Sequence, residues 1–423
     1  MPENRSASRM TPNASDFVEV LSNSIFKSLP RSEQRRWAQV YLKGLLASPG
    51  KKTIRNIAGE WQGPVEQSLQ QFISKSPWEW SPVRQELARF LENNVQRSLA
   101  WVIQPLVIEK AGSHSVGVAR QFVAQLGRVA NCQQAVGIWL AGDTASFPVE
   151  WNLILPPPWT TESSLRRRAR IPEATESPTP VRAALHAVKQ MAEKWPLEIR
   201  PVVMDLQDME PVEAVSAFVG MHIPFILRVD GSLPVALRSD ARRRADLRSV
   251  TAVDLIRLLR AQRRPVEWIC HLTSERKTAP LVAQDVLIRS AGPAGSEPVA
   301  LQLLGAWHPG SGDLPTEFWL TNMVRTPPVQ TFRLAKLADR VSRDFDDFCD
   351  PIGIRDFSGR SFRGWHHHAT LVAAAHTVAV LVEWSGHNRE KQTARQAELP
   401  FVPATNFLHA PPPRSQWITS GQF

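Results

Sequence analysis

Apolar residues in the first part of the chain are spaced as in helices. They recur every four residues over 17–29, which predicts one buried face of a helix that ends near Pro30. Ser32 is a candidate cap for a second helix, "SEQRRWAQVYLKGLLAS". Similar patterns follow in "VEQSLQQFISKSPWEW" and "PVRQELARFLENN". Residues 17–98 are therefore predicted to form an all-helical domain, preceded by a polar, disordered segment at 1–16.

The pattern changes at Ala100 to short apolar runs broken by turn residues. "AWVI", "QQAVGIWLAG" and "FPVEWNLILPPPW" indicate strands, a basic loop "SLRRRARIPEATESPTP" follows, and helix and strand patterns then alternate. This order is typical of an α/β domain with a mixed sheet. The core is predicted over 99–231 and 331–389, a basic, β-rich insertion over 232–330, and a Pro-rich tail over 390–423.

Composition points to a polyanionic partner in a reducing compartment. Lys and Arg number 50 against 40 Asp and Glu, a formal net charge of +10, which favours nucleic acid. Three distant cysteines, at 132, 270 and 349, form no disulfide framework or CxxC pair, which fits the cytoplasm. The late run "ATLVAAAHTVAVLVEW" is interrupted by His376 and is shorter than the ~20 residues of a membrane span. We expect a soluble, cytoplasmic protein that does not bind a membrane.

Several stretches resemble the bacterial insertion-sequence transposases of the DDE superfamily. In the helical region these are "YLKGLLASPGKKTIRNIA" and "LQQFISKSPWEW". In the core they are "HSVGVARQF", "FWLTNM" and, most specific, "GRSFRGWHHHATL" at Gly359–Leu371. The resemblance covers residues 17–385. It implies a ribonuclease-H-like mixed-sheet core with a β-rich insertion, preceded by an all-helical N-terminal domain that binds DNA.

The resemblance also implies a catalytic site made of three acidic side chains. Such acids hold two Mg²⁺ ions, which require anionic oxygen ligands, for DNA cutting and joining. The first position falls at Gln104, where the short strand is expected to end beside Pro105, and an amide oxygen is a poor Mg²⁺ ligand. Asp205 matches the second acid. Pro351 occupies the third position, in "DPIGIRD", and offers no ligand in a segment expected to be helical.

Neighbouring acids are weak substitutes for the two absent carboxylates. Asp350 adjoins the third position, but one residue on a helix is a rotation of about 100°. Glu109 is expected to lie past the strand end, and Asp208 is close to a position that Asp205 already fills. Asp205 is then expected to be a strand-end acid that is hydrogen-bonded or paired with an arginine. No cofactor is predicted, and Mg²⁺ is needed only if the acidic site has been rearranged.

Histidine and arginine clusters supply further candidates. Three consecutive histidines, 366–368, point about 100° apart on a helix and cannot all bind one metal ion, so we expect one or two to be packed and another to face DNA or solvent. Arg257, Arg260 and Arg264 are predicted to share one helical face. Lys51, Lys52 and Arg55 are weaker candidates for phosphate contacts. The candidate DNA-binding residues are Arg166, Arg167, Arg168, Arg170, Arg242, Arg243, Arg244, Arg257, Arg260, Arg264, Arg360 and Arg363.

The sequence therefore leaves three functional hypotheses. The first is a domesticated transposase-like protein that has lost strand-transfer chemistry. It acts as a non-catalytic DNA-binding or regulatory protein, with DNA as its partner and a homodimer as one option for its assembly. The second is an active DDE transposase or nuclease with a rearranged acidic site. The third is a protein–protein interaction module that no longer needs DNA.

Overall fold

A computed structural model describes most of the chain. The described residues are 12–237, 249–289, 297–308 and 312–397, with side chains placed from 14 to 386 within these ranges. The described part of Met1–Leu381 forms one compact unit, and that of Val382–Phe423 forms a second. All sites discussed below lie in the first unit.

The N-terminal part is helical, as predicted. Its helices are α1 (Pro12–Ile25), α2 (Ser32–Ala47), α3 (Ile54–Gly59), α4 (Val65–Ser74) and α5 (Trp80–Asn94). Because α1 begins at Pro12, the end of the segment predicted to be disordered is helical, and residues 1–11 lie outside the described part of the chain. Ser32 is the first residue of α2, and Arg31 precedes it as the N-cap. We call the helices α1–α5 together the helical layer. Gly44 of α2 allows close packing inside it, since a Cβ at Gly44 would collide with Ile57 of α3.

Strands and helices alternate through the rest of the chain. The strands are β1 (Ala100–Glu109), β2 (Ala119–Val123), β3 (Arg128–Ala141), β4 (Ser146–Ile154), β5 (Val202–Asp205), β6 (Phe225–Val229), β7 (Pro234–Leu237), β8 (Val250–Thr251), β9 (Arg264–Ile269), β10 (Arg276–Ile288), β11 (Val299–Ala306) and β12 (Glu317–Thr321). The helices are α6 (Pro157–Thr161), α7 (Ser163–Ala169), α8 (Pro180–Lys194), α9 (Val212–Gly220), α10 (Ala252–Leu258), α11 (Pro328–Ala335), α12 (Leu337–Asp344) and α13 (Phe362–Ala397).

The strands form one mixed sheet whose centre is β4-β3-β1-β5-β6. β3 is antiparallel to β1 and β4, whereas β1, β5 and β6 run parallel to each other. This arrangement confirms the predicted α/β class and agrees with a ribonuclease-H-like core. The region predicted as an insertion continues the same sheet, because β12 pairs with β6 and is followed by β11 and β10. The domain boundaries drawn from the sequence stay a prediction.

Helix α13 carries the long apolar run near the C-terminus. Among the described residues, one helical stretch, Phe362–Gly386, is long and apolar enough to cross a membrane by length and composition. The apolar stretch is thus longer than the run of 369–384 considered in the sequence, which was judged shorter than a membrane span. In the structure 61% of its most apolar window is buried inside the protein, as in a core helix. His376 is itself buried, and its Nε2 lies 2.8 Å from the carbonyl oxygen of Ser146.

Candidate functional site

The first acidic position lies in the middle of a strand. β1 continues to Glu109, so the prediction that the strand ends at Gln104 was wrong. The N–H of Trp101 donates to Pro201 on the β5 side, and alternate residues of a strand face the same side. The backbone nitrogen of Pro105, which carries no hydrogen, therefore faces the β5 side. Because the pairing with β5 stops at Ile103, no hydrogen bond between the two strands is lost at Pro105.

Asp205, the retained acid, is paired with an arginine. It ends β5, and its partner on β6 is Arg228, whose Nη1 lies 3.2 Å from the Asp205 Oδ2. The other carboxylate oxygen, Oδ1, accepts the backbone N–H of Gln207 at 3.0 Å. The side chains of Asp205 and Arg228 are 44% and 33% exposed, so this is a partly solvated ion pair. Sequence reasoning anticipated an arginine partner but missed its identity, although a charge inside the apolar strand "FILRV" was a signal.

The third acidic position lies in a turn. Pro351 follows α12 and the π-helical turn Phe345–Cys349, so the helix expected through "DPIGIRD" does not continue there. Gly353 has φ +99°, a conformation that suits glycine and leaves room for the Lys52 side chain. Asp350 Oδ1 accepts a hydrogen bond from Arg355 Nε at 2.8 Å. Among the described residues, neither Asp350 nor Pro351 lines the cavity that contains Asp205.

Gln104 and Asp205 line the same cavity, which has a volume of about 750 Å³ and which we call the acidic cavity. Its lining includes five carboxylates and one cation among the described residues: Asp205, Asp208, Glu210, Glu213, Asp339 and Arg228. Asp339 is on α12, which packs across β1 and β5, and burial raises the pKa of its carboxyl group. Sequence reasoning missed Asp339, because nothing along the chain indicates that α12 covers these strands.

A second cavity, which we call the basic cavity, has a volume of about 480 Å³, and most of the charged residues that line it are positive. Its lining includes five cations from three distant segments: Lys52, Lys75, Arg168, Arg170 and Arg360. Asp356 is the one acidic residue among its described lining, and its Oδ2 already accepts the backbone N–H of Lys52 at 2.7 Å. The structure thus brings together residues of the predicted helical domain, the Arg166–Arg170 cluster and the Gly359–Leu371 motif.

The Arg166–Arg170 cluster is divided by its local structure. These residues were expected in a loop, but Arg166, Arg167 and Arg168 lie in the last turn of α7. Arg166 is used inside the protein, because its guanidinium donates to the carbonyl oxygens of Thr160 and Pro172. Arg170 caps α7 in the left-handed region, with φ 55°, which is uncommon for a residue other than glycine. This turn directs the chain so that Arg168 and Arg170 both line the basic cavity.

The arginines predicted on the insertion do not form a helical face. Helix α10 ends at Leu258, Arg260 lies in a short 3₁₀ turn, and Arg264 begins β9, so the prediction of a shared face was wrong. Arg257 pairs with Asp254 one helical turn earlier, at 3.3 Å. The remaining predicted cluster, Arg242, Arg243 and Arg244, lies outside the described residues.

A third cavity connects the basic and acidic cavities. It has a volume of about 670 Å³ and shares Asp356 with the basic cavity. With the acidic cavity it shares Gln104, Pro105, Val107 and Gln125. Shared lining residues thus link the three cavities in series, and we call them together the groove, with a basic end and an acidic end.

The histidine run holds the helical layer to the core. All three histidines are buried, so the expectation that one faces DNA or solvent was wrong. The reason is that each contacts the helical layer: His366 stacks on Trp80, His367 on Trp78, and His368 Nδ1 lies 2.9 Å from the Tyr41 hydroxyl. Nδ1 and Nε2 of His367 lie 2.8 and 2.9 Å from the carbonyl oxygens of Ile73 and Trp78, and its ring stacks on Trp78 with centroids 3.7 Å apart. The described residues contain no group of three His, Cys, Asp or Glu that could hold a metal ion.

Arg84 also holds the helical layer to the core, and we call this contact region, formed by Arg84 and the three histidines, the joint. This fully buried residue of α5 donates from Nε to Thr370 Oγ1 of α13 at 2.7 Å. Its Nη1 forms an ion pair with Glu150 and donates to the carbonyl oxygen of Trp151, both on β4. Arg363, a predicted DNA-binding residue, is also used between layers, because it pairs with Glu79 at 3.1 Å.

Comparison with known families adds an independent observation. The family model described as DDE superfamily endonuclease matches residues 24–207. The matched region contains the helical layer from α2 onward, strands β1–β5, and residues of both ends of the groove, among them Lys52, Arg168, Gln104 and Asp205. No curated protein matches the sequence.

Proposed function

The chain is a DDE-superfamily, transposase-like protein, and on that premise we propose that it binds DNA at the basic cavity without performing strand transfer. The observation that carries the proposal is the convergence of five cations from three distant segments on one cavity. A net charge of +10 supports the same partner. The protein then acts as a cytoplasmic DNA-binding regulator, and a homodimer stays a prediction.

The basic cavity has side chains free to contact phosphate groups. Within the described part of the chain, the side chains of Lys75, Arg170 and Arg360 form no ion pair, and Arg168 stacks over the ring of Trp159 at 5.8 Å. A guanidinium can donate two parallel hydrogen bonds to a phosphate, and a lysine offers a point charge. These contacts read no bases, so they favour salt-sensitive binding to many DNA sequences.

The donor set at the acidic cavity supports the loss of strand transfer. Two Mg²⁺ ions require several anionic oxygen ligands. Gln104 offers a neutral amide, Pro351 lies in a turn without a ligand atom, and Asp205 is already compensated by Arg228. These residues do not fit a two-metal site, and no catalytic step follows from them.

A second candidate function, an active nuclease with a rearranged acidic site, is favoured by one observation. Asp339 brings a further carboxylate to the cavity that contains Asp205 and Asp208. A divalent-ion-dependent cut in plasmid DNA, lost in Asp205→Asn and in Asp339→Asn, would support this candidate over the first.

The proposal is tested by titrating labelled duplex DNA with the purified protein at two salt concentrations without metal. We expect binding that weakens steeply with salt. The double variant Arg168→Ala/Arg170→Ala should lose affinity about 10-fold and show a salt dependence shallower by about two phosphate contacts. No cleavage or strand transfer should appear when Mg²⁺ or Mn²⁺ is added.

A matched control removes two arginines elsewhere on the surface. Arg257→Ala/Arg260→Ala changes the net charge equally but leaves the basic cavity intact, so its affinity should stay within about 3-fold of the wild type. Equal losses in both double variants would contradict a specific role for the basic cavity. Absence of binding at low salt would contradict DNA binding and favour a protein–protein interaction module.

A further inference from the structure

We propose that the acidic end of the groove takes an unpaired nucleobase, so that the protein prefers DNA with a single-stranded overhang to blunt duplex. This inference rests on the proposed DNA-binding function. It adds a ligand class for the acidic cavity, which the basic cavity alone does not explain.

The first observation is an exposed aromatic ring at the edge of the acidic cavity. Phe122 lies on β2, at the edge of the sheet, and is 65% exposed although it lines the cavity. Its cross-strand neighbour on β3, Val129, is 52% exposed. The hairpin that carries both residues is held to β1 by Arg128, which donates two hydrogen bonds to Glu109 at 2.9 and 2.8 Å. A positioned, solvent-facing ring offers a stacking surface for a base.

The second observation is the amide lining of the same cavity. Gln104, Gln125, Gln134 and Gln207 are among the residues that line it, and their side-chain amides form no hydrogen bond with the described part of the protein. An amide presents a donor and an acceptor side by side, which matches the edge of an unpaired base. Asp205 and Asp208 can accept hydrogen bonds from the exocyclic amino groups of cytosine, adenine or guanine. At about 750 Å³, the cavity has the size of a small-ligand site.

The charge distribution along the groove favours single-stranded DNA over duplex DNA at the acidic end. Phosphate groups are attracted by the basic end and repelled by the carboxylates of the acidic end. A single strand can leave its phosphates at the basic end and place a terminal base in the acidic cavity. A duplex carries a phosphate on each strand at every base pair, so it cannot fill the acidic end without bringing phosphates close to Asp205 and Asp208.

The test compares three DNA probes of one sequence: blunt duplex, duplex with a three-nucleotide overhang, and single strand. The overhang carries 2-aminopurine, whose fluorescence is quenched when it stacks. We expect the overhang to bind the wild-type protein about 10-fold more tightly than the blunt duplex, with quenching on binding. Phe122→Ala should abolish both the preference and the quenching, and Phe122→Trp should retain them.

Control variants separate this inference from the proposed function. Val129→Ala removes the exposed neighbour without removing the ring and should leave the preference intact, whereas Arg168→Ala/Arg170→Ala should weaken all three probes alike. Equal affinity for overhang and blunt duplex, unchanged in Phe122→Ala, would overturn the inference while DNA binding stands. A monomer–dimer change in Phe122→Ala by sedimentation, with no change in quenching, would assign Phe122 to a contact between copies and also overturn it. Failure of every probe to bind at low salt would overturn both.

Discussion

The basic and acidic ends of the groove differ in origin and in charge. The acidic end is built on the ends and middles of the central strands β1 and β5, at two of the positions where the family resemblance places metal-binding acids. The basic end is built from helix ends and turns, at Lys52, Lys75, Arg170 and Arg360. Because the two ends use different residues, the chemistry of one can be lost while the binding surface of the other is kept.

The two ends also depend on the core to different degrees. The basic end exists only where the helical layer meets α13 and α7, so it requires the joint formed by Arg84 and the buried histidines. The acidic end lies on the sheet itself and requires only β1, β5, β6 and α12. Variants at the joint and at each end of the groove test this difference.

Arg84→Met should separate the helical layer from the core. Glu150, whose pKa burial raises, would be left without its partner, and breaking a buried ion pair in this way costs about 3–5 kcal/mol. Urea denaturation measures the loss in the free energy of unfolding. The double variant Arg84→Met/Glu150→Met should recover most of it, because no unpaired charge remains. A loss below about 1 kcal/mol in the single variant would contradict the importance of this joint.

Lowering the pH should destabilise the joint between the helical layer and the core. Burial lowers the pKa values of His367, His368 and His376 to about 4 from an ordinary value of 6.5. The neutral histidines therefore contribute stability that is complete above pH 6.5 and is lost as the pH falls towards 4. Each should reduce the free energy of unfolding by up to about 1.4 kcal/mol per pH unit in this window.

Chemical denaturation at pH 7, 6 and 5 measures this slope. His368→Gln, which replaces a histidine that contacts the Tyr41 hydroxyl of α2, should flatten it, whereas the control His186→Gln, at an exposed residue of α8, should not. A free energy of unfolding that is constant from pH 6.5 to 5 would show that the buried histidines do not control the joint.

Removing negative charge from the acidic end should raise affinity for blunt duplex. Asp208→Asn/Glu210→Gln removes two exposed carboxylates that repel phosphate groups, and we expect an increase of about 3-fold at low salt that disappears at high salt. Fluorescence anisotropy measures the change. Asp313→Asn/Asp346→Asn, which removes two exposed acids outside the groove, is the matched control. An unchanged affinity in the double variant would mean that duplex DNA does not approach the acidic end.

Arg228→Met should have the smallest effect on stability. The pair with Asp205 is partly exposed, so its loss should change the free energy of unfolding by less than about 1 kcal/mol. The variant leaves Asp205 without its cation, and millimolar Mn²⁺ should then raise the Tm of the variant more than that of the wild type. Arg276→Met, which removes an exposed pair with Glu267, is the control. An equal response to Mn²⁺ in wild type and variant would contradict the view that Arg228 compensates Asp205.

Much of the fold was predictable, because local patterns dominate it. Helical spacing over 17–98 and the strand pattern from Ala100 both correspond to elements of the structure. The errors occurred where a local rule met a tertiary exception. Pro105 was expected to end β1, yet it lies where the neighbouring strand is absent and no hydrogen bond is needed. The three histidines were expected to differ in exposure, but the helical layer covers all of them.

The sequence predicted the chemical character of individual residues of the candidate site, but not which of them lie together in space. Residue identity alone determined that Gln104 and Pro351 carry no carboxylate, that Asp205 does, and that arginines are clustered along the chain. Only tertiary structure decided which charges are available. Arg166, Arg363 and the buried Lys52 are used within the protein. Arg168, Arg170 and Arg360 meet Lys75 in one cavity. Periodicity and residue type act over a few residues, but the electrostatic field of a groove sums charges from segments hundreds of residues apart, which only packing brings together.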